Sequence, residues 1–236
     1  MAVYRRYSRG GALDGGAVVT IVAPQNAQAN VDGVNILFKD DYLIALDKPP
    51  GLLSVPGKSE PDCLEARVQA HFPDALTVHR LDMATSGVMV MERGKTAHAN
   101  LQQQFEKRET RKTYISIVHG GIKQDAGTVD APLRCDWPNR PRQIVCYTKG
   151  RHALTHWHVL ERGRDQTRVM LTPITGRSHQ LRVHMALIGH PIVGDPWYGG
   201  AKGIGATSRL MLHAERLTIN HPDTKEPLTL VAPALF

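Results

Sequence analysis

From Val34 onward the chain is organised by short apolar runs separated by turn residues. Val34 to Phe38 and Tyr42 to Leu46 read as two strands joined at Lys39-Asp40-Asp41. The second closes in Asp47-Lys48-Pro49-Pro50-Gly51, where two prolines and a glycine force a stiff turn. Leu64, Val68 and Phe72 recur at i, i+4 and i+8 and predict a short amphipathic helix from about Asp62. Ala97, Leu101 and Phe105 predict a second over Lys95 to about Arg108, with Gln102 and Gln103 outward. Val88 to Met91 is an apolar run of buried-strand length, and Thr113 to Val118 and Ala153 to Leu160 also read as strands. Val169 to Pro173 predicts a strand that turns at Gly176 into a helix beginning near Ser178, with Leu181, Met185 and Ile188 as its buried stripe. Two further strands, Leu210 to Ile219 and Leu228 to Val231, flank a turn at Pro222-Asp223.

Before Val34 the pattern fails. Residues 1–32 are rich in Gly, Ala, Asn and Gln without sustained periodicity, and predict a disordered extension with one short strand at Val18 to Val22. The remaining 33–236 form one domain in this reading. With 42% apolar residues among 236, an ordinary core is available. No apolar run approaches the length of a membrane span, and Ala17 to Ala23 is too short for a secretory segment. Arg5, Arg6 and Arg9 weakly resemble a transit peptide; a loose basic tail is the favoured reading. Cys63, Cys135 and Cys146 have no paired spacing, which argues against a disulfide framework or zinc site and for the reduced cytoplasm. A net charge of +7 favours a polyanionic partner.

Chemistry concentrates in a few stretches. The polar loop Val78 to Val88 sets Asp82 at the lip of a strand, with Arg80 before it and Thr85 and Ser86 after. An Arg-x-Asp there fits a structural ion pair or an Asp-stabilised turn as well as a reactive carboxylate. Lys107, Arg108, Arg111 and Lys112 precede Tyr114, a composition suited to holding phosphates beside an aromatic face. Trp137 stands among Arg134, Arg140 and Arg142, which fits a nucleic-acid contact or an Arg–Trp surface cluster. Lys48 fits either a groove or a solvated strand end, and Arg182 either a cleft or the surface. His152, His156 and His158 lack a nearby acidic or cysteine ligand and read as strand residues rather than a metal site. The glycine-rich stretch from Asp195-Pro196-Trp197-Tyr198 to Gly205 lacks a phosphate-loop ending and reads as a mobile loop.

The wording of these stretches resembles the RluA family of RNA pseudouridine synthases. His79-Arg80-Leu81-Asp82 followed by Thr85-Ser86-Gly87 resembles its signature, and Lys48-Pro49-Pro50-Gly51-Leu52 its first motif. Lys112-Thr113-Tyr114 resembles the second motif and Gly176 to His184 the third, while Cys135 to Arg142 resembles one branch of the family. The resemblance implies that Asp82 is catalytic, that Arg182 pairs with it, and that Tyr114 stacks on the target uracil. It also implies that Arg80 occupies the space of the extruded base or contacts the displaced bases, and that Leu212 buttresses the uracil pocket. His79, Lys48, Arg111, Trp137 and Arg140 are the further candidates for RNA contact.

The implied fold is α+β, a mixed, largely antiparallel sheet with packed helices and a central RNA-binding groove. The implied reaction is the isomerisation of specific uridines, in 23S rRNA and a tRNA anticodon stem-loop. It involves no redox change, so neither cofactor nor metal is called for. RNA is the expected partner, with no DNA and no membrane, and a monomer is expected. A non-catalytic RNA-binding or ribosome-assembly protein is the alternative, and a carboxylate-dependent hydrolase would show several clustered acids rather than one.

Overall fold

A computed structural model describes residues 18–22, 30–200 and 207–236. Arg5, Arg6, Arg9 and Gly205 lie outside the described residues, as does the side chain of Ala97. The first strands are β1 (Val19–Val22), β2 (Asn30–Val31), β3 (Val34–Lys39) and β4 (Leu43–Lys48). Helix α1 (Leu64–Gln69), β5 (Ala75–Thr77), β6 (Ser86–Arg93) and α2 (Lys95–Lys107) follow. Then come β7 (Arg111–His119), β8 (Ala126–Asp130), β9 (Leu133–Cys135) and β10 (Gln143–Val145). The chain closes with β11 (Leu154–Arg162), β12 (Gln166–Pro173), α3 (Gln180–Leu187), β13 (Leu212–Asn220) and β14 (Pro227–Val231). This is an α+β fold, and it divides into two compact units, residues 1–112 with 214–235 and residues 113–213 with 236. The single domain expected over 33–236 is thus built in two parts.

In the first unit the strands β2-β3-β4-β6-β13-β14-β1 are successive neighbours, and β5 pairs with β6. The strand expected at Val18 to Val22 is β1, which runs parallel to β14 and pairs Val19 with Leu228 through Val22 with Val231. Part of the stretch read as a disordered extension therefore belongs to the sheet. The Lys39–Asp41 turn forms as its residues dictate: Asp40 Oδ1 accepts the N–H groups of Tyr42 and Leu43, each at 2.8 Å. Strand β6 is buried from Ser86 to Glu92, so the apolar run carries both faces. Val88 and Val90 join Leu43, Ala45, Leu101, Leu217 and Leu230 in one core cluster.

Helix α1 is shorter than its apolar spacing suggests. Cys63 Sγ caps it by accepting the Ala66 N–H at 3.3 Å, and the chain leaves helical geometry before the half-buried Phe72. On α2, Gln104 is buried and pairs both ways with the backbone of Asn220, at 2.8 Å in each direction. That amide docks the helix on β13, a bond invisible to apolar periodicity.

The second unit has the antiparallel order β7-β12-β11-β8 and a separate ribbon, β9-β10. Helix α3 begins at Gln180 and is buried from Gln180 through Met185, which overturns the one-sided stripe expected for it. Its polar side chains replace the missing outer face. Gln180 donates to Leu154 O at 2.9 Å and Thr155 Oγ1 at 3.0 Å. The ring nitrogens of His184 contact Thr155 Oγ1 at 2.9 Å and Ala131 O at 3.0 Å. Among the described residues no helix is long and apolar enough to cross a membrane.

Gly87, at the start of β6, has a φ of +115°, and a Cβ there would lie 2.2 Å from Ala214 O. A Gly87→Ala variant is expected to lose about 2–4 kcal/mol in urea unfolding, from clash and backbone strain together. Gly121→Ala, where a Cβ would meet nothing within 4 Å, should stay within about 0.5 kcal/mol of wild type.

Candidate active site

Asp82 lies in the segment between β5 and β6 and is half-buried. Its two neighbours are clamped from the backbone. On one side, Ser54 Oγ donates to Leu81 O at 2.7 Å and accepts the Leu81 N–H at 3.1 Å. On the other, Met83 O accepts from Gly51 N at 2.8 Å and from Lys48 Nζ at 3.1 Å. Thr85 N closes the turn on Asp82 O at 3.0 Å. The Pro-Pro-Gly turn is therefore the seat of the Asp82 loop.

Two residues expected at an RNA surface belong to that seat instead. Lys48 is fully buried, and its Nζ also donates to Pro49 O at 2.9 Å and Leu52 O at 2.7 Å, so it staples the turn rather than lining a groove. His79 accepts the Val90 N–H on Nε2 at 3.0 Å and stacks on Phe105 with centroids 4.3 Å apart. Burial, with help from the charge of Lys112, pushes its pKa down to about 3. The neutral ring keeps Nε2 as the acceptor that holds the loop to β6, which corrects its expected place at the substrate. Lys112 is likewise turned to packing, with its ammonium 5.0 Å from the Phe105 centroid and its pKa lowered by burial. Arg80 and Arg111 are exposed, as a phosphate or base contact requires.

Arg182, on α3 in the second unit, is only 3% exposed, which rules out the surface reading. Its Nε and Nη2 donate to the two carboxylate oxygens of Asp195 at 2.7 and 2.8 Å, a bidentate pair with Asp195 fully buried. Asp195 Oδ1 also accepts the N–H groups of Trp197 and Tyr198 at 2.9 and 3.1 Å. The guanidinium carbon then lies 5.0 Å from the Trp197 ring and 5.1 Å from the Tyr198 ring. The Tyr198 hydroxyl meets His179 Nδ1 at 2.7 Å and accepts the Gln143 N–H at 2.8 Å.

Sequence reasoning took this stretch for the opening of a mobile loop and missed Asp195, Trp197 and Tyr198 as a cage around Arg182. The available signal was an Asp two and three residues before amides it can accept. Nothing in the spacing marked Ser54.

Tyr114, in β7, is half-buried and stands in register with Leu171 of β12. Leu212 is 3% exposed, and the carbonyl just before it, Met211 O, accepts from Ile117 N at 3.2 Å and Ser116 Oγ at 2.8 Å. The second unit thus ties Leu212 to the strand that carries Tyr114. Trp137 and Arg140 lie on the β9-β10 ribbon, both exposed. His156 and His158 sit on the exposed face of β11, His156 Nδ1 lies 2.8 Å from Thr128 Oγ1, and His152 pairs with Asp130 at 3.3 Å.

The first unit holds a carboxylate whose backbone is fixed on both sides. The second unit, taken by itself, holds a caged guanidinium, an aromatic ring on β7 and a buried leucine. Groups fixed in this way need little reorganisation to meet a ligand. Replacing Asp195 by Ala should destabilise the protein by about 3–5 kcal/mol in urea unfolding, since it leaves a buried guanidinium and two amides short of an acceptor. Asp195→Asn keeps an acceptor and should lose measurably less; equal losses would mean that the acceptor position contributes nothing.

Residues 42–187 match the family profile described as RNA pseudouridylate synthase. The chain is 51% identical over 204 residues to the dual-specificity RNA pseudouridine synthase RluA of Escherichia coli strain K12, covering 85% of this chain and 93% of that one. It is 46% identical over 205 residues to the protein of the same name from Vibrio cholerae, covering 86% and 84%. Among solved structures, human RNA pseudouridylate synthase domain containing 1 superimposes with a TM-score of 0.75 at 28% identity, over 87% of this chain and 85% of that one.

Proposed function

The chain belongs to the RNA pseudouridylate synthase family, and from that premise we propose that it converts specific uridines to pseudouridine in 23S rRNA and in a tRNA anticodon stem-loop, as a cytoplasmic monomer with Asp82 as its catalytic residue. The observation that carries the residue assignment is the double clamp on the Asp82 loop, from Ser54 on one side and Lys48 with Gly51 on the other. A carboxylate seated in this way is oriented before substrate arrives.

In the reaction the bond from ribose C1′ to uracil N1 breaks, the ring turns, and C1′ bonds to C5. The proton on C5 leaves and N1 takes one up, so atoms and electrons balance without an oxidant. Asp82 acts at the sugar or at the ring, as nucleophile or as base. Arg182 is the second residue assigned to the chemistry, and the Asp195 cage holds its guanidinium in one orientation. Tyr114 stacks on the uracil and Leu212 walls its pocket. Arg111 meets phosphate, and Arg80 enters the space the flipped nucleotide leaves.

The reading is tested by mapping pseudouridine on rRNA and tRNA from a strain lacking the protein, complemented with wild type or Asp82→Asn. Particular pseudouridines should vanish, return with wild type and stay absent with the variant. In vitro the variant's turnover should fall by about 10²-fold or more. Sites that never change would move a non-catalytic RNA-binding role to the front, and full rescue by Asp82→Asn would remove that residue from the chemistry.

Arg80→Ala should cost more activity on a uridine inside a stacked, structured RNA than on one in a flexible loop, because unstacking costs a few kcal/mol. Equal losses on the two RNAs would sink its role in extrusion.

A further inference from the structure

The tip of the β9-β10 ribbon is built more rigidly than a solvent-exposed hairpin requires. Asp136 N donates to Arg142 O at 2.9 Å, Asn139 N to Asp136 O at 2.9 Å and Arg142 N to Asn139 O at 3.0 Å. Asn139 Nδ2 adds a bond to Asp136 Oδ2 at 2.9 Å. These bonds present Trp137 outward at 64% exposure, with the Arg140 guanidinium 4.8 Å from its ring centroid. Over 134–151 the basic residues Arg134, Arg140, Arg142, Lys149 and Arg151 face one acid, Asp136.

The root of the ribbon is as firmly held as its tip. Arg142 Nη2 donates to Trp197 O at 2.5 Å, and Gln143 N to the Tyr198 hydroxyl at 2.8 Å. Leu133 and Val145 pack with Val183 of α3. Trp197 and Tyr198 are the residues whose rings lie against Arg182. A short run of bonds, all within the second unit, therefore sets the position of Trp137 relative to Arg182.

We infer that Trp137 is a stacking platform for an unpaired base of the RNA substrate other than the target uridine, with Arg140 and Arg142 on the flanking phosphates. This rests on the synthase reading and adds to it a residue that selects the RNA by the distance between two unpaired nucleotides. An Arg–Trp pair kept only for stability contributes about 0.5–1 kcal/mol at an exposed site and needs no anchoring to a distant loop. A protein partner would ask for a wider apolar patch, whereas the neighbours of Trp137 at the tip include the exposed polar Asn139, Arg140 and Arg142. Planar stacking surrounded by cations is the composition that holds single-stranded RNA.

The test uses an anticodon stem-loop RNA carrying tritium at C5 of its uridines, with wild type, W137A and W137F. Filter binding reads Kd, and tritium release reads turnover. W137A should raise Kd by about 5- to 150-fold, the worth of one stacked base, and lower kcat by much less; W137F should keep most of the affinity. Abasic substitutions are then placed in turn at each non-target loop position. One position should weaken wild type by a comparable factor and leave W137A no weaker than it already is. A W137A Kd within about twofold of wild type, or abasic penalties that match between the two proteins at every position, would overturn the platform. If wild type binds but releases no tritium, the synthase reading fails while the Kd comparison still decides the role of Trp137.

Discussion

A buried ammonium holds the loop that carries Asp82. Lys48 Nζ reaches the carbonyls of Pro49, Leu52 and Met83, and so joins the end of β4, the Pro-Pro-Gly turn and the Asp82 loop at one point. Removing such a charge from water costs several kcal/mol, and the three carbonyl dipoles offset part of that cost. The charge therefore selects one conformation of the loop. Ser54 and the neutral ring of His79 extend the selection to the residues before Asp82.

The second unit holds its buried cation, Arg182, with a carboxylate. Arg182 and Asp195 are both buried, and each satisfies the other through two parallel bonds. The aromatic rings of Trp197 and Tyr198 exclude water from the guanidinium, and the backbone amides of those residues complete the carboxylate's acceptor capacity. Because α3 is buried nearly all round, its polar side chains Gln180 and His184 must find partners inside the unit. The same stringency that makes the helix look irregular in sequence makes its placement unique.

Much of the order of elements was readable from short-range pattern. The strands at Val34, Tyr42, Val88, Thr113 and Val169 follow from apolar runs bounded by turns, and each forms within a few residues of its expected limits. Helix α3 was misread, because a stripe argument assumes one wet face, and from Gln180 to Met185 this helix is buried all round. Lys48 and His79 were misread for a related reason. A polar side chain near a reactive loop looks available until the carbonyls and amides around it are known. The Asp195 cage was hidden because Arg182 and Asp195 are thirteen positions apart, and no helical or strand period links that spacing.

Sequence by itself determined the alternation of elements, the basic balance and the motif residues Asp82, Tyr114 and Arg182, since these depend on residue identity and on neighbours a few positions away. Tertiary structure alone decided which polar groups are buried in the scaffold and which stay exposed. That choice rests on desolvation, a property of the surroundings: a lysine or histidine of the same identity is a ligand when it faces water and a staple when its partners are buried carbonyls and amides.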